Sequence, residues 1–245
     1  MIMTHQKMHD IFNKSYLGLI KDEERTDVIN PEYVECLYDL TERSKRMRMA
    51  ELGIMYGMST ISFLYSLMNR GGSLLSIDID IRGKTLEAVG RSGMDFMWSP
   101  HEADSVKFGE SLDPDEKFDL IYVDSNHTYE HCRKEIEVWY PHLQEGGMMA
   151  FHDISAGQGG EIFRAISEFV VGHPEVKFSP YRQDIGIIFR RGRVRLELEP
   201  GCRCGGVIFE VGGFNPLDKS TAYRCEVCSS IISLTSGYRK KSIPP

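Results

Sequence analysis

Apolar positions along this chain fall into two alternating rhythms. After a polar, mixed beginning, Val34, Leu37 and Leu40 mark one face of a helix within Pro31–Leu40. Met47–Leu52 then reads as a short strand. A glycine-containing turn follows, and Ile61, Leu64, Leu67 and Met68 predict a helix over Ser59–Met68. Further strands are predicted at Ser73–Ile79, near Met94–Trp98 and over Lys117–Asp124, with a helix from about Arg82 to Arg91 between the first two. A helix over Thr128–Leu143 puts Cys132, Ile136, Trp139, Tyr140 and Leu143 on one side. Gly146-Gly147 is expected to end it before the buried strand Met148–Phe151. A helix over Glu161–Val171 and strands at Val176–Ser179 and Asp184–Arg190 close the series.

Strands alternating with helices predict βαβ units. The expected fold is therefore α/β: a Rossmann-like, doubly wound, mostly parallel sheet. Ligands of such sheets bind beyond the carboxyl ends of the strands, where the strand order reverses. The informative polar residues are then those just after each strand.

Charge divides the chain further. The 245 residues carry a net charge of −7. From Arg191 onward there are nine Lys/Arg against five Asp/Glu, so this stretch is +4 and the first 190 residues are −11. Three regions are expected: an N-terminal helical segment (1–46) on the substrate side, an α/β domain (47–190) and a small module (191–245). An acidic body disfavours a nucleic-acid partner, because phosphate binding needs a positive surface. No run of about 18 apolar residues exists, so no membrane span is expected. The opening MIMTHQKMHD has no apolar core of a secretory leader, which makes the cytoplasm the expected location.

The first predicted strand leads into Glu51-Leu-Gly53-Ile-Met-Tyr-Gly57-Met-Ser59-Thr60. Two glycines four apart let the backbone turn tightly and approach a ligand, while Ser59 and Thr60 are placed to cap the helix and donate to a carboxylate. A tight turn with nothing bound is the alternative. The dinucleotide and nucleoside-triphosphate glycine fingerprints are both absent. Asp78 ends the second strand, where a ribose diol finds its acceptor, and Asp80 beyond it reads as a helix N-cap.

Together these blocks resemble the class I S-adenosylmethionine-dependent methyltransferases. The stretch Phe118-Asp-Leu-Ile-Tyr-Val-Asp124-Ser-Asn126-His127-Thr-Tyr129-Glu130, then Trp139-Tyr-Pro141-His-Leu143-Gln-Glu-Gly146-Gly147 and Phe151-His152-Asp153, is similar to the branch containing small-molecule and sugar O-methyltransferases. The likeness covers about residues 31–190. It implies that Glu51, Gly53, Gly57, Ser59 and Thr60 hold the methionine part of the cofactor and Asp78 the ribose. It also implies that Asp104 and Ser105 lie in the segment that meets the adenine.

Asp124 and Asp153 each follow a buried strand, so both should reach the carboxyl edge of the sheet. Two carboxylates there suit a hard cation such as Mg²⁺, which would lower the pKa of a bound hydroxyl. Metal-dependent members of the resembled family use an acid after the fourth strand and a pair after the fifth. His152 stands where a second acid or an amide is common in them, which favours a softer divalent ion. His127, three residues past Asp124, has two readings: a general base working with Asp124, or simply the first residues of the next helix. His131 and His142 are expected at surface or edge positions.

In the tail, Cys202-Arg-Cys204 and Cys225-Glu-Val-Cys228 are two close pairs twenty residues apart. Four thiolates around one tetrahedral Zn²⁺ are the first reading, and disulfides or free thiols the second. The flanking runs Val207–Val211 and Ile231–Leu234 predict the strands of a zinc-ribbon-like module. It would serve docking or oligomerisation, with nucleic-acid contact through Arg239-Lys240-Lys241 as the alternative. The expected activity is methyl transfer from S-adenosylmethionine to a hydroxyl of a small molecule or sugar. A nucleic-acid-modifying enzyme and a non-catalytic cofactor-binding scaffold are the alternatives, and a homo-oligomer is compatible with each.

Overall fold

Parallel pairing of β1 (Met47–Leu52) with β2 (Gly72–Asp78) on one side and β4 (Phe118–Val123) on the other founds the sheet. The computed structural model describes residues 31–41, 46–155, 160–173, 175–181 and 183–190, with the backbone of 208–210, 220–225 and 231–235. Seven strands run in the order β3-β2-β1-β4-β5-β7-β6, with β3 at Trp98–Glu102, β5 at Leu143–Phe151, β6 at Val176–Pro180 and β7 at Gly186–Arg190. All pair in parallel except β7, which is antiparallel to both β5 and β6. This is the expected Rossmann-like, mostly parallel α/β sheet.

Side chains alternate across it. Met49, Leu120, Tyr122, Met148 and Ala150 join one core with α1 (Pro31–Leu40), α2 (Met58–Arg70) and α3 (Gly83–Ser92). Ala50, Leu52, Ile121, Val123, Met149 and Phe151 join the other with α5 (Tyr129–Trp139) and α6 (Glu161–Gly172). A period of two on strands buried from both sides is what a doubly wound sheet requires. Among the described residues no helix is long and apolar enough to cross a membrane.

Three expectations are corrected. The third strand is Trp98–Glu102, and Asp95–Met97 forms a 3-10 turn in front of it. Its alternate positions are exposed at the sheet edge, so no apolar rhythm announces it. The helix over 128–143 ends earlier, at Trp139, because Pro141 cannot continue the hydrogen-bond ladder. Gly146 and Gly147 lie inside β5, where the pairing with β4 shifts register between Phe118 and Leu120. A short helix, α4 (Ser105–Ser111), was not foreseen.

The chain divides into two units, residues 1–191 and 192–245. The second contains a three-stranded antiparallel sheet of order β10-β9-β8, built from Ile208–Glu210, Ser220–Cys225 and Ile231–Thr235. The first and last match predicted strands, and β9 was not predicted. Cys202, Cys204 and Cys228, and the side chain of Cys225, lie outside the described residues.

Candidate active site

Backbone hydrogen bonds extend the parallel ladder one residue past the strands. Gly53 N–H donates to the Ile77 carbonyl at 2.8 Å, Asp124 N–H to Leu52 at 2.8 Å, His152 N–H to Val123 at 3.0 Å and Ala103 N–H to Asp78 at 2.8 Å. Gly53, Asp78, Asp124 and His152 are thereby levelled at one edge. β1 lies between β2 and β4 there, so the chain order reverses beside it and leaves a crevice.

The glycine turn is pressed against the end of β4. Gly53 has φ +95°, and a Cβ on it would sit 2.2 Å from the Asp124 carbonyl oxygen. Asp78 shapes the same turn: its Oδ2 accepts from the N–H groups of Ile54 at 2.7 Å and Met55 at 3.0 Å. Ser59 and Thr60 do not cap α2, whose N-cap is Gly57 without a side-chain bond. Thr60 instead donates to Glu51 Oε2 at 2.8 Å, alongside Ser76 at 2.6 Å. Asp80 caps nothing, since α3 begins after Arg82. Asp104 is itself the N-cap of α4, its carboxylate accepting from Lys107 N–H at 2.9 Å.

Glu51 is fully buried, and its Oε1 has no hydrogen-bond partner. Burial pushes its carboxyl up to about 7, against hydrogen bonds from Ser59, Ser76 and Thr60 that favour the charged form. The consequence for stability has a definite sign. An acid whose pKa rises on folding stabilises below its unfolded value, and that contribution is lost as pH climbs through the folded value. The cofactor-free protein should therefore lose about 3 kcal/mol between roughly pH 4.5 and 7 from this group. Glu51→Gln should flatten that slope, leaving stability at pH 5 similar to the wild type and higher at pH 8. Denaturant unfolding of both proteins across this range checks it, and an unchanged slope would exclude Glu51 as its source.

The acids and histidines converge. His127 Nε2 and His152 Nδ1 each lie 3.3 Å from Asp124 Oδ1. The other ring nitrogen of His127 lies 3.4 Å from Asp153 Oδ2, and His152 Nδ1 is 3.5 Å from Asp153 Oδ1. One ligand atom from each of Asp124, His152 and Asp153 falls within 4.8 Å of the others, a spacing that a single divalent ion can gather. Burial alone would push the Asp124 carboxyl up, but hydrogen bonds and charge from the two histidines bring it below its usual value. The hydrogen bond to Asp124 raises the His127 pKa against partial burial. For His152 burial pulls down, and Asp124 and Asp153 outweigh it. This edge therefore favours positive charge, as bound protons or as a metal ion.

Tyr33 was missed by sequence reasoning. It enters from α1, its ring centroid 4.7 Å from that of His152, and its hydroxyl bonds Tyr122 and reaches Asp124 Oδ2 at 3.5 Å. A tyrosine at helical spacing reads as core, and nothing in its neighbours signals otherwise. His142, expected at a surface or edge position, is buried, its Nδ1 2.9 Å from the Glu116 carbonyl. His131 is partly buried and bound to Glu135.

Comparison with known proteins agrees with the fold. Among curated proteins nothing matches the chain. Solved structures share the fold. TomG, an O-methyltransferase from Streptomyces achromogenes in complex with SAM, aligns with TM-score 0.59 and 14% identity over 75% of this chain and 90% of its own. An O-methyltransferase from Bacillus cereus with SAH gives 0.54 and 16% over 77% and 91%. The SAH-bound Podospora anserina methyltransferase PaMTH1 gives 0.57 and 14% over 73% and 87%. Residues 50–154, which include every sheet-edge candidate from Glu51 to Asp153, match the family model described as a methyltransferase domain.

Proposed function

We propose that this chain transfers a methyl group from S-adenosylmethionine to a hydroxyl of a small molecule, a sugar being a suitable acceptor. The observation that carries this reading is the methyltransferase-domain match over 50–154, the stretch that supplies the glycine turn and the acid–histidine cluster. Two features of the site fit the cofactor. Glu51 Oε1 is a buried acceptor without a partner, suited to the ammonium of an amino acid moiety. Gly53, lacking a side chain, lets the turn lie against the Asp124 backbone, which brings the glycine turn and the acid–histidine cluster to neighbouring strand ends.

When bound, S-adenosylmethionine would supply an electrophilic methyl carbon on a sulfonium: the acceptor oxygen bonds that carbon in line as the carbon–sulfur bond breaks, and S-adenosylhomocysteine leaves as the thioether. The chain's task is then to orient the hydroxyl and take its proton. His127 is the proposed base, and Asp124 holds its ring and stabilises the imidazolium that results. Asp124, His152 and Asp153 are the residues that would hold a divalent ion. Two carboxylates suit Mg²⁺ or Mn²⁺, and the imidazole extends the range toward other transition ions. Such an ion would supply Lewis acidity to the acceptor oxygen. Asp78 is proposed for the ribose and the Asp104–Ser105 segment for the adenine.

The test is production of S-adenosylhomocysteine by the full-length protein over a panel of hydroxylated sugars and phenols, with Mg²⁺, Mn²⁺ or a chelator. Product that requires an acceptor hydroxyl, and fails with the matching deoxy compound, supports O-methylation. Product formed equally from amines or thiols would redirect the acceptor class. For the tail, spacing alone supports one Zn²⁺ on Cys202, Cys204, Cys225 and Cys228. Elemental analysis should find one zinc per chain, lost in Cys204→Ser.

A further inference from the structure

Glu135 is a buried carboxylate that the proposed chemistry does not use. It lies on the face of α5 shared with Cys132, Ile136 and Trp139, and its residue exposure is 0%. A carboxylate in that position on an amphipathic helix would ordinarily be replaced by an apolar residue, because burying a charge is costly unless it is well bonded. Its bonds account for its presence. Oε1 accepts from Ser105 Oγ at 2.5 Å and from Ser125 Oγ at 2.6 Å, with His131 Nε2 at 3.2 Å. Ser105 is held to the same helix a second time, through its carbonyl, which accepts from Trp139 Nε1 at 3.0 Å.

The two serines belong to different parts of the candidate site. Ser105 opens α4, directly after the Asp104 cap and the Ala103 that bonds back to Asp78. Ser125 directly follows Asp124, and its Cα would lie 3.0 Å from a Cβ on Gly53. One oxygen atom therefore ties the segment proposed for the adenine to the segment that carries the reaction carboxylate and supports the glycine turn.

We propose that Glu135 is a positioning residue that fixes these two segments in one frame, so that the cofactor and Asp124 are presented together. The proposal rests on the methyltransferase reading above. His131 bonds both Glu135 and Ser105, with its Nε2 3.2 Å from Ser105 Oγ, and closes the network on its outer side. Glu135 Oε2 is buried without a protein partner, so the carboxylate is held from one side only and both serine bonds are needed to orient it.

The experiment is calorimetric titration of S-adenosylhomocysteine into the full-length protein and its variants, with thermal melts alongside. Glu135→Ala leaves two hydroxyls without their acceptor and should weaken binding roughly tenfold, the order expected from losing a buried hydrogen-bond partner. Glu135→Gln retains an acceptor oxygen and should recover most of that loss. Ser105→Ala and Ser125→Ala should each weaken binding in the wild-type background and have no further effect in Glu135→Ala. A merely structural carboxylate would lower the melting temperature, with the same coupling to the serines, while leaving the affinity of the folded protein for S-adenosylhomocysteine unchanged. If Glu135→Ala does not fold, the Ser105→Ala/Ser125→Ala cycle in the Glu135→Gln background replaces it. Additive serine effects there would overturn the proposal, and coupled ones support it. Unchanged affinity in Glu135→Ala, with the wild type binding normally, would overturn the clamp alone. A wild type that does not bind would overturn the methyltransferase reading and this proposal with it.

Discussion

Asp124→Asn is expected to abolish turnover while leaving affinity for S-adenosylhomocysteine close to that of the wild type. The substitution preserves shape but removes the charge on which two imidazoles converge at 3.3 Å. It removes the support of the proposed base and one of the three candidate metal donors at once. Loss of proton transfer alone is worth about 10²–10⁴ in rate, so a fall of about a thousandfold or more is expected. Cofactor affinity should survive, because the contacts proposed for it come from the glycine turn, Asp78 and the segment ahead of α4. The backbone of Asp124 that touches Gly53 is unaltered. Steady-state turnover and calorimetric binding of the same preparation separate the two effects. Preserved turnover would remove Asp124 from the mechanism, and lost binding would make it a structural prop for the turn.

Gly53→Ala should be the most damaging change to the fold of the site. Its cost has two sources that can be measured apart. One is conformational: at φ +95° an L-residue is strained by about 1–2 kcal/mol. The other is contact, since the new methyl would stand 2.2 Å from the Asp124 carbonyl oxygen and 2.6 Å from its carbonyl carbon. Those atoms belong to backbone that is hydrogen-bonded to Leu52 and cannot simply rotate away. Gly93 provides the control, for it has φ +70° and nothing within 4 Å of the Cβ position. Gly93→Ala should therefore show only the conformational part. Gly53→Ala should add a further 2–3 kcal/mol or so for overpacking and lose cofactor binding. Denaturant unfolding of the two variants makes the comparison. Equal losses would mean that the close approach at Gly53 carries no energetic weight.

The sheet was legible because its central strands are buried on both faces and its helices have one apolar stripe. Met47–Leu52 and Phe118–Val123 were found nearly to the residue for that reason. Legibility failed where burial fails. β3 is an exposed edge strand containing Pro100, and α4 is a seven-residue helix whose start is set by a capping carboxylate rather than by a hydrophobic period. The start of β5 is polar and exposed over Gln144–Gly146, so the glycines there read as a helix stop.

The site follows the same logic. That Asp78, Asp124, His152 and Asp153 lie along one edge was legible because they stand at or just beyond strand ends, and parallel register brings those ends together. Tyr33 and Glu135 were not, because both sit on helices, where sequence shows a face but not the partner across it. Thr60 donates to a carboxylate as expected, that of Glu51, but caps no helix end. Only the fold shows that Glu51 is fully buried, which pushes its carboxyl up to about 7 against the hydrogen bonds from Thr60 and Ser76.

Titration of S-adenosylhomocysteine into the full-length protein by calorimetry, with and without Mg²⁺, bears most directly on the central reading of the crevice beside β1. Saturable binding at one site per chain, weakened by Asp78→Ala and lost in Gly53→Ala, is the expected result. Absence of binding in a folded protein under either condition would contradict it.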